Sequence, residues 1–167
     1  MHEGVKDFRA GIITVSTSRF RKYGHVSGVE RIPEDDGSGR MILKMMGDRA
    51  VFYRLVPDDI QEIRKALYEF SGDLLVITGG TGLSPRDVTI EALEPLFQKR
   101  IDGFGEIFRA ESMGQIGYGA VLSRAVAGVV DGKIVFALPG SPGAVQLGMK
   151  IVLDIAGHVL AHVKGER

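Results

Sequence analysis

The feature that most constrains this chain is a short apolar segment that runs directly into a glycine-rich loop. Leu74 to Thr78 (LLVIT) has the length and composition of a strand buried on both faces. Gly79-Gly80-Thr81-Gly82 follows without a break. Glycine permits positive φ angles and lets a ligand come close to the backbone, since no Cβ blocks the approach. A strand that ends in such a loop can expose backbone N–H groups to an anion, so the segment predicts a phosphate site.

Two familiar phosphate-binding motifs do not fit the loop. A Walker-type P-loop needs Gly-Lys-Ser/Thr after a four-residue gap, and no lysine lies between Asp73 and Phe97. A dinucleotide fingerprint that begins at Gly80 needs glycine or alanine at position 85, which is Pro85. The loop is therefore neither a P-loop nor a Rossmann fingerprint.

The residues after the loop admit two interpretations. Ser84-Pro85-Arg86-Asp87 has the form of a capping box, with Ser84 as the N-cap of a helix and Asp87 as its third residue. Thr89 is an equally good N-cap for a helix that begins at Ile90. A structural role for Asp87 thus competes with a functional one. The glycine run favours function, because a tight turn rarely needs three glycines in four residues.

Strand-like and helix-like segments alternate along the chain, which is the pattern of an α/β fold. The β-rich apolar segments are Ala10 to Ser16, Ala50 to Val56, Leu74 to Thr78, Ala125 to Val130 and Lys133 to Leu138. Asp131-Gly132 is a two-residue hairpin signal between the last two of them. We therefore predict one domain over residues 1–167, a three-layer α/β/α sandwich. Its sheet is expected to be mostly parallel, with one antiparallel hairpin at the edge.

Two other segments look less regular. Arg19 to Gly39 is polar and contains several glycines, so we expect a solvated loop without regular structure. Asp36 and Ser38 near its end are candidate caps for a helix over Arg40 to Met46. Pro95 interrupts a helical pattern and predicts a separate short helix that carries Phe97 to Ile101.

Composition excludes several classes of function. The 167 residues carry no formal net charge, so nothing draws the chain towards nucleic acid or a membrane surface. Cysteine is absent, which excludes a disulfide framework and a thiolate site. The N-terminal residues lack the apolar core of a signal peptide, and no run is expected to reach transmembrane length. We expect a cytoplasmic protein.

Ligands of open α/β sheets bind outside the carboxyl ends of the strands. That rule brings together Val56-Pro57-Asp58, Thr78-Gly79-Gly80 and Leu138-Pro139-Gly140. The first strand end supplies the carboxylate of Asp58, and the second supplies that of Asp87 through the loop. Two carboxylates beside a phosphate cradle indicate Mg²⁺, which is commonly held by one or two acids and by phosphate oxygens. Without cysteine, and without lysine in the loop, direct in-line transfer fits better than a covalent intermediate.

The longest motif block resembles a known family. TGGTG-x-x-x-RDVT-x-EAL, followed by FGE, RAVAG and LPGSP, is similar to the molybdopterin adenylyltransferase family of MoaB/MogA type, which includes the gephyrin G domain. The resemblance runs from about Gly11 to the C-terminal helix. It implies Mg²⁺- and ATP-dependent adenylylation of molybdopterin. It also implies a homo-oligomer, either a trimer or a hexamer.

The resemblance assigns roles to individual residues. In the family the acid of the strand-end Pro-Asp motif belongs to the active site. Asp58 matches that acid, although an aspartate here is also an ordinary N-cap, and the register between Asp58 and Asp59 stays open. Asp58 and Asp87 would be catalytic and hold the metal. The residues expected to bind substrate or nucleotide are Gly79, Gly80, Thr81, Gly82, Glu106, Ser112, Ser123, Pro139, Gly140 and Ser141.

Two alternative functions remain open at this point. Some relatives lack one of the two acids and are non-catalytic, so a molybdopterin-binding scaffold is the first alternative. Both acids are present here, which favours activity. A nucleotide pyrophosphatase of the same fold, as in the competence-damage proteins, is the second alternative.

Overall fold

One seven-stranded sheet organises the molecule, which a computed structural model describes over residues 6–166. The strands are β1 (Ala10–Val15), β2 (Val26–Ser27), β3 (Ala50–Val56), β4 (Leu74–Thr78), β5 (Lys99–Arg100), β6 (Val126–Val130) and β7 (Lys133–Leu138). The helices are α1 (Thr17–Tyr23), α2 (Gly37–Met46), α3 (Ile60–Glu69), α4 (Thr89–Leu93), α5 (Asp102–Ile116) and α6 (Pro142–Val163). All five long strands expected from the sequence are present.

The strand order is β2-β3-β1-β4-β7-β6-β5, and the four central strands run parallel. β6 pairs antiparallel with β7 through the predicted turn, where Asp131 and Gly132 both adopt positive φ angles of 49° and 77°. β6 is itself covered by the two-residue strand β5, and β2 borders β3 at the opposite edge. The predicted α/β class with a mostly parallel sheet is confirmed, with short antiparallel strands added at both edges.

Helices cover both faces of the sheet, as expected for a three-layer sandwich. One core packs the sheet against α2, α5 and α6, and the other packs it against α3 and α4. Neighbouring residues of a strand serve opposite layers, so Ile12 belongs to the first core and Ile13 to the second. This is why the central strands are continuously apolar rather than alternating.

Helix α6 is the longest helix of the described chain. By length and composition alone it could cross a membrane, so the expectation that no segment reaches that length is wrong. Its packing explains the composition, since α6 lies against β7, α2 and α5. Val145, Met149, Val152, Ala156 and Leu160 are buried along its inner face. These residues account for part of the apolar character, because 39% of the most apolar 18-residue stretch of α6 is buried.

Two local predictions were wrong. Arg19 to Gly39 is not a structureless loop, because it contains most of α1, strand β2, a 3₁₀ turn at Val29–Arg31 and the start of α2. Helix α1 buries none of its side chains, so it leaves no apolar periodicity in the sequence. Asp36 does cap the following helix, which begins at Gly37, but Ser38 is not a cap, because it lies inside the helix.

The second error concerns the segment after Pro95. The segment from Phe97 to Ile101 contains the edge strand β5 and no helix, and the bonds from Gln98 N–H to Val129 O and from Ile101 N–H to Ala127 O flank the strand. Pro95 lies in a 3₁₀ turn that ends at Leu96. A two-residue edge strand with both side chains exposed carries no pattern that the sequence could reveal.

Candidate active site

The carboxyl ends of the central strands meet around the glycine loop. Gly79 N–H donates to Leu138 O at 3.0 Å, which joins the ends of β4 and β7. Ser16 N–H donates to Val56 O at 2.9 Å, which joins the ends of β1 and β3. The loop therefore lies at the edge of the sheet where ligands of α/β proteins bind.

Glycine is required at the first two positions of the loop. Gly79 and Gly80 have φ angles of 95° and 67°, where side chains are strained. A Cβ on Gly79 would collide with Val15 O, and one on Gly80 would collide with the Thr89 hydroxyl. The close packing that the glycine run predicts is present.

All four carbonyl groups of the loop accept hydrogen bonds from behind it. Thr89 donates from its hydroxyl to Gly79 O at 2.8 Å and from its N–H to Gly80 O at 3.0 Å. Arg124 donates from Nε to Thr81 O at 3.0 Å and from Nη2 to Gly82 O at 2.6 Å. Within residues 6–166, the N–H groups of Gly80, Thr81 and Gly82 have no hydrogen-bond acceptor. Such a row of unpaired donors is the geometry of an anion cradle.

The structure separates the two adjacent aspartates at the end of β3. Asp59 is the N-cap of α3, and its Oδ1 accepts from Glu62 N–H at 2.9 Å. Asp58 Oδ2 instead accepts from the Thr17 hydroxyl at 2.6 Å and from Thr17 N–H at 3.2 Å. Asp58 Oδ1 lies beside the loop, 2.9 Å from where a Cβ on Gly80 would be. Asp58 is therefore the aspartate that borders the cradle.

Asp87 lies at the other end of the cradle. Its Oδ2 would be 2.6 Å from a Cβ on Gly82 and accepts from Ser84 N–H at 3.2 Å. The helix expected after Ser84 is absent, because Ser84 to Asp87 forms a turn and α4 begins only at Thr89, but the bond from Ser84 N–H to Asp87 that a capping box requires is present. Thr89 is not a cap either, since its hydroxyl donates to the loop.

The turn after β7 also reaches the loop. A Cβ on Gly140 would be 3.5 Å from Gly79 Cα, and Gly140 O accepts from the Ser38 hydroxyl at 2.8 Å. Pro139 O accepts from the Thr78 hydroxyl at 3.3 Å, and Ser141 caps α6 by accepting from Ala144 N–H. These bonds fix the predicted Pro139–Ser141 segment beside the glycine loop.

Three other predicted residues have no direct bond to the cradle. Glu106 is exposed on α5, and Ser112 is buried on the same helix. Ser123 accepts from Ala125 N–H at 3.4 Å and precedes Arg124 in the chain. No hydrogen bond in the described part of the chain joins any of the three to Gly79–Gly82.

A buried polar pair supports the helix that carries Ser38. Asp36 is fully buried at the start of α2, where it accepts from Gly39 N–H at 3.0 Å and from the Tyr53 hydroxyl at 2.6 Å. Burial, together with the hydrogen bond to Asp36, raises the pKa of the Tyr53 hydroxyl above its usual range. The sequence identified Asp36 as a cap but gave no sign of its partner.

Each of the two acids offers a carboxylate oxygen suited to a magnesium ion that arrives with phosphate. Asp58 Oδ1 and Asp87 Oδ1 accept no hydrogen bond from any described residue. Residues 6–166 contain no cluster of three or more acidic, histidine or cysteine side chains that could hold a metal. Magnesium is usually held by only one or two protein carboxylates, and phosphate and water supply its other ligands. The donor set therefore suits a nucleotide-borne ion.

The fold is that of an α/β protein, and the unpaired loop donors beside two carboxylates have a geometry that suits a phosphorylated ligand. A family model described as "Probable molybdopterin binding domain" matches residues 11–158. The chain therefore belongs to this family, in its MoaB/MogA branch, as the TGGTG and RDVT motifs predict.

The relatives extend over almost the whole chain. A protein of Methanocaldococcus jannaschii named "Probable molybdopterin adenylyltransferase" is 40% identical, covering 98% of this chain and 99% of its own. The "Molybdopterin adenylyltransferase" of Pyrococcus furiosus is 41% identical, with 97% and 95% covered. The crystal structure of the tungsten cofactor synthesizing protein MoaB from Pyrococcus furiosus superposes with a TM-score of 0.81, covering 95% of this chain and 98% of that one.

Proposed function

We propose that this protein is a molybdopterin adenylyltransferase, which transfers the adenylyl group of ATP to molybdopterin in molybdenum or tungsten cofactor biosynthesis. The observation that carries the proposal is the loop Gly79–Gly82, with its carbonyls tied back, its N–H groups unpaired and a carboxylate at each end. Family membership and relatives near 40% identity support the same activity.

In the proposed reaction, an oxygen of the terminal phosphate of molybdopterin attacks the α-phosphorus of ATP. A new P–O bond forms there, and the bond between the α-phosphorus and the α,β-bridging oxygen breaks. The electron pair of the broken bond leaves with pyrophosphate. Positioning and charge stabilisation supply most of the catalysis in such transfers.

The residues of the chain divide this work. The N–H groups of Gly80, Thr81 and Gly82 bind phosphate oxygens, whose charge they stabilise without any side-chain movement. Asp58 is held by Thr17, and Asp87 is held by Ser84, so both carboxylates are oriented before substrate binds. Asp58 and Asp87 would hold Mg²⁺, which when bound neutralises phosphate charge. Glu106, Ser112, Ser123 and the Pro139–Ser141 turn remain proposed substrate contacts.

The test is to incubate the purified protein with molybdopterin, ATP and Mg²⁺ and to measure adenylylated molybdopterin and pyrophosphate. Both products in equal amounts are expected. Pyrophosphate formed without molybdopterin would instead indicate a nucleotide pyrophosphatase. Tight molybdopterin binding without turnover would indicate a scaffold protein.

We further propose that the protein is a homo-oligomer, a trimer or a hexamer, located in the cytoplasm. One surface of the described chain supports self-association. Large apolar side chains at the end of α5 and in the following 3₁₀ helix Gly117–Leu122 are 49–87% exposed, namely Met113, Ile116, Tyr118, Val121 and Leu122. We call these five residues the apolar patch. Exposed apolar patches commonly mark protein interfaces.

A further inference from the structure

Arg124, which the sequence did not assign to the site, holds the glycine loop through two hydrogen bonds, as many as Thr89 makes. Its guanidinium donates to Thr81 O and Gly82 O at 3.0 and 2.6 Å. The same group forms a two-point ion pair with Glu91 of α4, at 2.7 and 3.1 Å. The side chain is only 29% exposed, so these bonds are partly shielded from water.

The hydrogen bonds on the loop divide into two halves. Thr89 holds the carbonyls of Gly79 and Gly80, and Arg124 holds those of Thr81 and Gly82. A trans peptide is planar, and its C=O and the following N–H point in opposite directions. Thr89 therefore sets the directions of the Gly80 and Thr81 N–H groups. Arg124 in the same way sets the directions of the Gly82 and Leu83 N–H groups.

The side chain of Thr81 is buried, with 5% of the residue exposed, but the carbonyl groups of Thr81 and Gly82 depend on Arg124 for hydrogen bonds. No other described residue donates to the carbonyls of Thr81 and Gly82. Gly82 is a glycine with an ordinary φ, and Leu83 is 66% exposed, so neither steric strain nor packing fixes them. A glycine backbone loses more conformational freedom on ordering than any other residue. Without Arg124, these two N–H groups would have to be ordered by the ligand itself.

Glu91 keeps the guanidinium in place for this task. The ion pair raises the pKa of Arg124 and lowers the pKa of Glu91, so both groups stay charged. Nη1 and Nη2 donate to Glu91, while Nε donates to Thr81 O and Nη2 also donates to Gly82 O. A lysine ammonium lacks this planar fork and cannot reproduce the arrangement. The charge of Arg124 also polarises both peptide groups towards a bound anion.

We infer that Arg124 is a positioning residue for phosphate binding: it holds the Thr81 and Gly82 carbonyls and thereby directs the Gly82 and Leu83 N–H groups at the ligand. This inference rests on the function proposed above. It extends the site to a residue that holds the loop through its carbonyl groups and that lines the same open cavity as Gly82 and Asp87.

The test compares Arg124→Gln with Arg109→Gln. Arg109 is a matched control, because it is also partly buried and donates to a backbone carbonyl, that of Ala125, but makes no bond to the loop. Titration calorimetry with ATP and with inorganic pyrophosphate should show about tenfold or more weaker binding for Arg124→Gln, the loss expected for two charge-assisted hydrogen bonds. Arg109→Gln should bind like the wild type, and Arg124→Lys should not restore affinity.

An NMR measurement separates positioning from general destabilisation. In amide ¹H–¹⁵N spectra of Arg124→Gln, the resonances of Gly82 and Leu83 should shift or broaden. Those of Gly80 and Thr81, which Thr89 holds, should change much less. Equal binding by the two glutamine variants, or uniform spectral changes across the loop, would overturn the inference.

The outcomes for the wild type keep the two proposals apart. Wild-type protein that binds ATP but forms no adenylylated product would refute the proposed activity and leave the role of Arg124 intact. Full activity in Arg124→Gln would refute the role of Arg124 and leave the activity intact. Wild-type protein that binds neither ATP nor pyrophosphate would refute both.

Discussion

Asp58 and Asp59 are neighbours in the chain with different physical surroundings. Asp59 accepts from the first turn of α3, and Asp58 turns back to Thr17 and the glycine loop. Removal of the negative charge should therefore lower turnover at Asp58 and not at Asp59. We expect Asp58→Asn to lower turnover by about 100-fold or more, since it removes a proposed metal ligand.

Asp59→Asn is the control for that prediction. Asparagine caps helices as well as aspartate does, so stability should change by less than about 0.5 kcal/mol. Steady-state kinetics and thermal unfolding of both variants provide the measurement. Equal losses of activity in the two variants would show that Asp58 has no special role.

Asp87 gives a separate prediction, because its carboxylate has a structural partner in Ser84 N–H. Asparagine retains an oxygen that can accept this hydrogen bond, so Asp87→Asn should leave the melting temperature nearly unchanged. Turnover should fall by about 100-fold or more, as for Asp58. A variant that keeps its turnover but melts earlier would show that Asp87 only stabilises the turn.

The contacts that sequence reasoning missed have something in common. Thr17 bonds to a partner 41 residues away, Arg124 to one 43 residues away and Ser38 to one 102 residues away. Local motifs cannot reveal such pairs, because only the folded sheet brings them together. The glycine loop was visible because its cause is local: two of its residues need positive φ angles. The sequence could not decide whether Asp58 or Asp59 belongs to the site, because an aspartate that caps a helix and an aspartate of a site are the same residue type.

Among the elements, those with buried faces were predictable and those without were not. The five long strands are apolar because they are buried, and Asp131-Gly132 specifies its hairpin through backbone preference alone. Strands β2 and β5 have two residues each and little burial, so they leave no periodic signal. Helix α1 has no buried residue and depends on its Ser16 cap.

The hairpin turn gives a prediction about stability. Gly132 has a φ angle of 77° and open space around its Cα, so alanine there is strained by backbone conformation alone. Gly132→Ala should lower the free energy of unfolding by about 1–2 kcal/mol. Gly114, in α5, also has open space but an ordinary φ, and alanine there should raise the free energy by up to about 1 kcal/mol. In urea unfolding, the free energy of unfolding should fall for Gly132→Ala and rise for Gly114→Ala. A change in the same direction for both variants would contradict this account.

The buried Tyr53–Asp36 pair predicts how stability depends on pH. A raised pKa means that the folded state holds the tyrosine proton more tightly than the unfolded state does. This contribution is complete below the unfolded pKa of about 10 and decreases as the pH rises above it. Tyr53→Phe should lower the free energy of unfolding by about 1–3 kcal/mol at neutral pH, because it leaves a buried carboxylate oxygen without a donor.

The stability loss in Tyr53→Phe should also become smaller above pH 10, since the wild type then loses the same contribution. Tyr68→Phe is the control, because the Tyr68 side chain is 52% exposed. Urea unfolding at neutral and alkaline pH provides the measurement. A loss in Tyr53→Phe that does not depend on pH would show that the hydroxyl does not stabilise the fold through its proton.

At the scale of the whole molecule, the sheet gathers residues from distant parts of the chain. Four parallel strands end at one edge, and each end contributes a different group. Ser16, which caps α1, follows β1, and Asp58 follows β3. The glycine loop follows β4, and the Pro139–Ser141 turn follows β7. The α/β rule predicts this gathering from strand order. It does not predict how molecules associate, because the apolar patch comes from one helix end and a 3₁₀ helix with no distinctive motif.

The apolar patch provides the last prediction. Tyr118 and Val121 are 87% and 79% exposed, and both line a shallow cavity with Met113. A stable interface buries about 800 Å² on each partner, and a charge at its centre is desolvated at a large cost. Val121→Asp should therefore shift the oligomer towards the monomer, with about tenfold or more weaker association in sedimentation velocity.

Tyr68→Asp is the matched control for Val121→Asp, because it also places a charge at an exposed apolar position, but on α3, away from the patch. We expect this variant to sediment like the wild type. The patch ends at Leu122, two residues before Arg124 in the chain. An interface there would stabilise the segment that carries Arg124. Loss of association should then also weaken ATP binding. A wild-type protein that sediments as a monomer, or equal dissociation in both variants, would show that this surface is not the interface.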